Sequence, residues 1–170
     1  MQPTRREALA TIGTAGLWAA THQAMGQVPR KEVSSEDRIT HGKIRQSVMG
    51  WCFKPMKAAT LAKHCREIGL EAIEGISPGD YPAVKELGLK ISLVSSHGFK
   101  QGPFSRDNHA FCIEKLKQSI DLAVDVGCPN VITFTGMREN GISDKAAAQN
   151  CVDCWNAVIG YAEEKKINLC

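Results

Sequence analysis

Apolar and polar positions along this chain change period several times, and each change marks an element. Ile44 to Trp51 reads as a strand. From Thr60 to Ile68 the residues Leu61, His64, Cys65 and Ile68 recur at helical spacing, and Gly69 supplies the stop. Ala72 to Ile76 reads as a second strand, followed by the turn residues Ser77, Pro78 and Gly79. A short helix over Asp80 to Leu87 ends at Gly88. Leu89 to Ser95 is then a third, largely apolar strand of the kind buried on both faces.

A long loop from Ser96 to Asp107 contains Gly98, Gly102 and Pro103, and Asn108 is placed to cap the next helix. In that helix Phe111, Leu116, Ile120, Leu122, Ala123 and Val126 recur at helical spacing, and Gly127 ends it. Asn130 to Phe134 reads as the fourth strand, with Thr135 to Ile142 as its loop. Ser143 caps a long helix to about Lys165, whose expected inner stripe is Val152, Trp155, Val158, Ile159 and Ala162. Ile167 to Cys170 begins a fifth strand.

Strands alternating with helices in this way predict an α/β fold of the (β/α)8 TIM-barrel type, truncated to about four β/α units plus the start of a fifth strand. About 250 residues normally make the eight units of a complete barrel. A doubly wound open sheet is the structural alternative. Its first strand-to-helix turn usually carries a glycine fingerprint, and here that turn reads WCFKPMKAA.

Upstream of residue 42 the pattern differs. Arg5-Arg6, the weakly apolar run Ala8 to Ala20 and the small-residue site Ala24-Met25-Gly26 predict a twin-arginine signal over residues 1–26, and hence export in the folded state. The alternative is the frayed basic start of a cytoplasmic protein. The apolar run is too short to span a bilayer, so stable membrane insertion is not expected. Residues 27–41, with Pro29, Ser34, Ser35 and interspersed charges, read as a linker, which leaves 42–170 as the folded domain.

Bulk properties narrow the function classes. A chain that is 43% hydrophobic and 23% charged has the composition of a globular domain. The net charge is +3, yet basic and acidic residues are interspersed beyond the extreme N-terminus, so a nucleic-acid partner is not implied. Seven cysteines make an odd set, and Cys151 and Cys154 form a lone CxxC inside a helix. A zinc ribbon needs a second pair, and a thioredoxin-type motif opens a helix after a strand. These two are expected to be packed or half-exposed helix cysteines.

Four segments in this order, QSVMGWCFK, EIGLEAIEGISPGDYPAVKELGL, KLKQSIDLAVDVGCPNVITFTG and NCVDCWNAVIGYAEEKKINLC, carry a resemblance. They resemble the N-terminal half of hydroxypyruvate isomerase and its xylose isomerase-like TIM barrel relatives, over residues 41–170. The resemblance implies aldose-ketose isomerisation of hydroxypyruvate to tartronate semialdehyde through an enediolate. It also implies a divalent metal for the full-length family. The working glutamates and metal ligands come from the ends of the fifth to eighth strands in that family, so the resemblance places no catalytic residue and no metal ligand in this chain and implies that residues 1–170 are inactive alone.

Barrel position then nominates a pocket wall, because side chains at strand C-termini and in the following loops face the active site of such a barrel. The candidate substrate-binding residues are Trp51, Phe53, Glu74, His97, Thr135 and Gly136. Trp51 and Phe53 either line a ligand site or cap the barrel core. Glu74, a carboxylate in an apolar strand, calls for a pocket or a hydrogen-bond network. His97 either meets a substrate oxygen or is solvated. Arg106, Lys100 and Arg138 lie in loops on the same face, where a substrate carboxylate or water could hold them.

The expected partner is a small hydroxy-carbonyl compound or sugar. Two other readings compete: a metal-dependent endonuclease of the same superfamily, which needs a basic groove and His and Glu ligands, and a non-catalytic exported module that binds a sugar. Half a barrel also leaves strand edges open, so homo-oligomers are expected.

Overall fold

A computed structural model describes residues 33–170; the signal segment expected over residues 1–26 lies outside the described residues. Residues 35–170 make one compact unit. Its elements are β1 (Ser47–Met49), α1 (Ala58–Ile68), β2 (Ala72–Glu74), α2 (Tyr81–Glu86), β3 (Lys90–Ile91), β4 (Val94–Ser95), α3 (His109–Val126), β5 (Asn130–Ile132), α4 (Asp144–Glu164) and β6 (Asn168–Leu169). The segment read as a linker is anchored near its end, where the Ile39 N–H donates to Ile68 O at 2.9 Å beside Gly69.

All strand pairs are parallel, in the order β1-β2-β3 and β4-β5-β6. The strands therefore lie in chain order without a reversal. A doubly wound sheet reverses its order at a switch point, whereas a barrel winds in one direction, so this order is that of a partial barrel.

The third strand of the sequence reading is two short strands. Ile91 pairs with Ile73 and Val94 pairs with Val131, and both Ile91 and Val94 are buried against the helices. Residues three apart in a regular strand point to opposite faces. The break at Ser92 and Leu93 returns Val94 to the helix side and passes the chain from one set of pairings to the next.

Helix-facing strand positions and inner helix stripes make the core. Ile73, Ile91, Val94 and Val131 pack with Leu61, Cys65, Val84, Leu116, Ile120, Ala123, Val158 and Ala162. Burying a branched side chain such as Ile73 contributes roughly 1.5–3 kcal/mol relative to exposure. Gly69 and Gly127 end α1 and α3 in the left-handed conformation. Ser143 caps α4 by accepting the Ala146 N–H.

Three expectations are corrected by packing. Phe111, Val152 and Ile159 are exposed, although helical spacing placed them inside. The inner stripe of α4 is instead Ala147, Asn150, Cys151, Cys154, Val158 and Ala162. Asn108 precedes α3 without capping it; its side-chain amide donates to Gly102 O at 3.2 Å.

Candidate functional site

The C-terminal ends of the strands carry two different kinds of surface. At β1 and β2 the chain leaves each strand through a glycine. A Cβ on Gly50 would lie 2.3 Å from Ile76 Cγ2, and one on Gly75 would lie 2.2 Å from Met49 Sδ and 2.7 Å from Trp51 Cδ1. Gly75 also has φ 63°, a conformation that favours glycine. These two glycines let the β1 and β2 exits lie against each other, and a cavity of about 260 Å³ opens beside them. Trp51, Met56, Leu61 and Ile76 supply its apolar lining, and Lys54, Ser77, Asp80 and Ser95 its polar groups.

Around β4 and β5 the loops are closed on each other. The Phe104 N–H donates to Thr135 O at 2.7 Å and the Met137 N–H to Lys100 O at 3.3 Å. Gly102 and Gly136 meet back to back, so closely that a Cβ on Gly102 would lie 2.2 Å from Gly136 N. Asn150, buried in α4, donates to Phe104 O at 2.9 Å and accepts from Arg106 Nε at 2.9 Å. Arg106 also reaches Asp153, and Arg138 pairs with Asp144 at 2.6 Å. Both loop arginines considered for a substrate carboxylate are thus held by carboxylates of α4. The Arg106 bond and that of Gln149 hold the Asp153 carboxyl below its usual value, with the Gln149 hydrogen bond the larger cause.

His97 sits in this closed region. Its Nδ1 lies 2.8 Å from Gly98 O and 2.9 Å from Gln101 O. Carbonyls only accept, so Nδ1 carries the proton, and in the neutral ring Nε2 accepts from the Thr133 hydroxyl at 3.0 Å. Thr133 Oγ1 in turn accepts from the Trp155 indole N–H at 3.1 Å. Both nitrogens of His97 are engaged inside the protein, and the ring packs edge-on to Phe134 at 6.5 Å.

The other candidates fall on both sides of the mouth. Trp51 lines the cavity and is 59% exposed. Phe53 is exposed in the turn Gly50–Phe53. Glu74 ends β2 and accepts from Ser47 Oγ at 3.3 Å and Ser92 Oγ at 3.0 Å, which ties β1 to the end of β3. Thr135 is exposed, and its hydroxyl donates to Gly136 O at 3.3 Å. Gly136 has φ 94° and packs on Gly102. Of the six, Trp51 belongs to the cavity lining, with Glu74 one residue from it, while His97, Thr135 and Gly136 belong to the closed loops.

Sequence reasoning missed Gly50, Gly75, Lys54, Ser77 and Asp80 as cavity residues. A usable signal existed in the glycines directly after Met49 and Glu74, because a small residue at a strand exit makes room beside it.

The thiols do not form a reactive centre. Cys112, Cys151 and Cys154 are buried. Burial, with Coulombic repulsion from Cys154 and Cys151, pushes the Cys112 thiol up to about 11. The divalent metal implied by the resemblance finds no ready site, because among the described residues no three His, Cys, Asp or Glu side chains converge to hold one. Likewise among the described residues, no helix is long and apolar enough to cross a membrane.

Strand order, loop placement and sequence agree on the class of protein. The family model for the xylose isomerase-like TIM barrel matches residues 62–170, more than half of the chain, and the chain belongs to that family. Solved structures with the same fold include a sugar phosphate isomerase/epimerase from Parabacteroides distasonis ATCC 8503, with 13% identity, TM-score 0.60, and coverage of 80% of this chain and 54% of that one. D-psicose 3-epimerase is similar at 11% identity and TM-score 0.59, covering 75% of this chain and 51% of that one. A 3-keto-D-glucoside 4-epimerase from E. coli follows at 14% identity and TM-score 0.56, covering 74% and 55%. The chain thus spans about half the length of these structures. No curated protein matches the sequence.

Proposed function

We propose that residues 42–170 form the substrate-binding wall of an isomerase barrel whose substrate is a small hydroxy-carbonyl compound, with hydroxypyruvate as the specific candidate. The observation that carries this reading is the cavity beside Gly50 and Gly75, at the strand ends where a barrel of this family gathers its chemistry. Sugar isomerases and epimerases among the structural neighbours support the reaction class. The choice of hydroxypyruvate rests on the sequence resemblance.

Isomerisation through an enediolate needs a carboxylate that moves a proton between adjacent carbons and an electrophile that holds the developing oxyanion. Glu74 is oriented by two serine hydroxyls and engaged with both. That geometry suits a network that braces the strand ends. The role proposed for this half is to bind and orient substrate.

The test is a titration of the 170-residue chain with hydroxypyruvate and with D-fructose, followed by calorimetry, together with an assay for tartronate semialdehyde in the presence of magnesium or manganese. Binding of hydroxypyruvate without turnover is the expected result. Preference for the neutral ketose would overturn the choice of substrate, and turnover by this chain would overturn the assignment of its residues to binding alone. Export through the twin-arginine route is proposed with it. Replacing Arg5 and Arg6 by lysine should retain the protein in the cytoplasm on cell fractionation.

A further inference from the structure

We infer that Lys54 selects the ligands of the β1–β2 cavity by holding an anionic group, the carboxylate or phosphate end of a short hydroxylated compound. The inference rests on reading this face as the binding site, and it adds the residue and the charge that decide what enters.

The cations around the mouth differ in how they are held. Arg106 is paired with Asp153 and Arg138 with Asp144, so the closed region presents these two charges already neutralised. Lys100 lies on the long loop outside the cavity lining. Lys54 lines the cavity and, among the described residues, has no ion-pair partner. Asp80 lines the same cavity without pairing to Lys54. Two residues of opposite charge, neither with an ion-pair partner among the described residues, thus line one small space.

The surroundings raise the value of that cation. Trp51, Met56, Leu61 and Ile76 wall the cavity with apolar surface. A charge beside low-dielectric walls attracts its counter-charge more strongly than one on open surface. Ser77 and Ser95 add hydroxyls that can donate or accept, while the Asp80 carboxylate can only accept. A ligand that satisfies the set has an anion at one end and hydroxyls at the other. The volume of about 260 Å³ lies below the roughly 300–1,000 Å³ usual for drug-sized ligands, which favours a compound of a few carbons.

Three probes of one skeleton test this: D-glycerate, glycerol 3-phosphate and glycerol, titrated calorimetrically into the 170-residue chain and into its Lys54→Met variant. At least one of the two anions should bind at millimolar concentration or below, and the one that binds identifies carboxylate or phosphate as the source of the charge. Glycerol should bind more weakly than that anion. Lys54→Met should weaken the anion by about tenfold or more, the usual scale of a charge-assisted hydrogen bond, and leave glycerol unchanged. Lys54 is exposed, and equal thermal melts of the two proteins would verify that the fold is retained.

Equal anion affinity in the variant overturns the inference, as does glycerol binding as tightly as both anions, or no binding by either anion. Hydroxypyruvate binding that ignores the Lys54 substitution removes this inference and leaves the substrate reading in place. Lys54-dependent binding of glycerol 3-phosphate without binding of hydroxypyruvate does the reverse.

Discussion

The β1–β2 side of the mouth and the β4–β5 side are built from similar parts and end in opposite states. Each has a pair of glycines in close approach, aromatic residues and basic loop residues; Gly102 and Gly136 meet backbone to backbone, whereas Gly50 and Gly75 face the side chains of Ile76, Met49 and Trp51. On the β4–β5 side those parts are used internally: loop joins loop, both nitrogens of His97 find partners, and the two arginines meet α4 carboxylates. On the β1–β2 side they border a cavity that Trp51, Lys54 and Asp80 line. Hydrogen-bonding and charge capacity left open marks a binding surface better than residue type does. His97 and Arg106 looked as functional in the sequence as Trp51, and they are occupied.

The largest expected effect falls on the closed side. In Gly102→Val the new Cβ would sit 2.2 Å from backbone, which cannot swing away as a side chain can. A loss of about 3 kcal/mol in urea unfolding is expected. Gly79→Ala, in open space beside the cavity, should change stability by no more than about 0.5 kcal/mol. Equal losses in the two variants would erase the contrast.

Thiol labelling compares the two sides chemically. Exposed Cys52 next to Trp51 should react readily with a maleimide in the native protein, as should exposed Cys170. Cys112, raised from 9.0 to about 11, should hold about a hundredfold less thiolate at neutral pH than an unshifted thiol, and its burial slows it further. Mass spectrometry of the native digest should find Cys52 and Cys170 labelled first. Early labelling of Cys112 would show that the closed side opens.

Asn150→Ala removes a buried amide that joins α4 to the long loop. It leaves Phe104 O and Arg106 Nε without that partner, so about 1–3 kcal/mol of stability should be lost. Amide exchange should quicken at Phe104 and Met137, where the loops meet. If exchange there is unchanged, the loops are held by the glycine contact alone.

The smallest effect concerns Asp153. Its folded pKa lies below the ordinary 3.8, so its contribution is present above that value and is lost as pH falls through the folded pKa. Asp153→Asn should therefore cost a little stability at neutral pH, a difference that shrinks as pH falls through the folded pKa and so flattens the acid limb of the profile. A variant curve parallel to the wild type down to the acid transition would remove this pair from the account.

Much of the fold was legible because its signals are local. Gly69 and Gly127 end helices in the left-handed conformation that glycine tolerates, and Ser143 caps α4 through its own hydroxyl. Helical faces were less legible. Periodicity admits several stripes on one helix, and which is buried depends on where the neighbours lie. Packing against α3 and the sheet turned Cys151 and Cys154 inward and left Val152 and Ile159 outside. The break at Ser92 and Leu93 was hidden for a similar reason: an apolar run states that a strand is buried without stating where it breaks.

The sequence by itself determined the alternation of strands and helices, their stops, and with them the family, because period, caps and glycine stops act within a few residues. Tertiary structure alone decided which polar groups remain open. Gly102 meets Gly136, Arg106 meets Asp153 and His97 meets Thr133 across separations of more than thirty residues. No local pattern encodes those meetings. They arise when parallel strands in chain order bring successive loops to one end of the sheet, and they leave Lys54 and Asp80 beside a cavity with no ion-pair partner among the described residues.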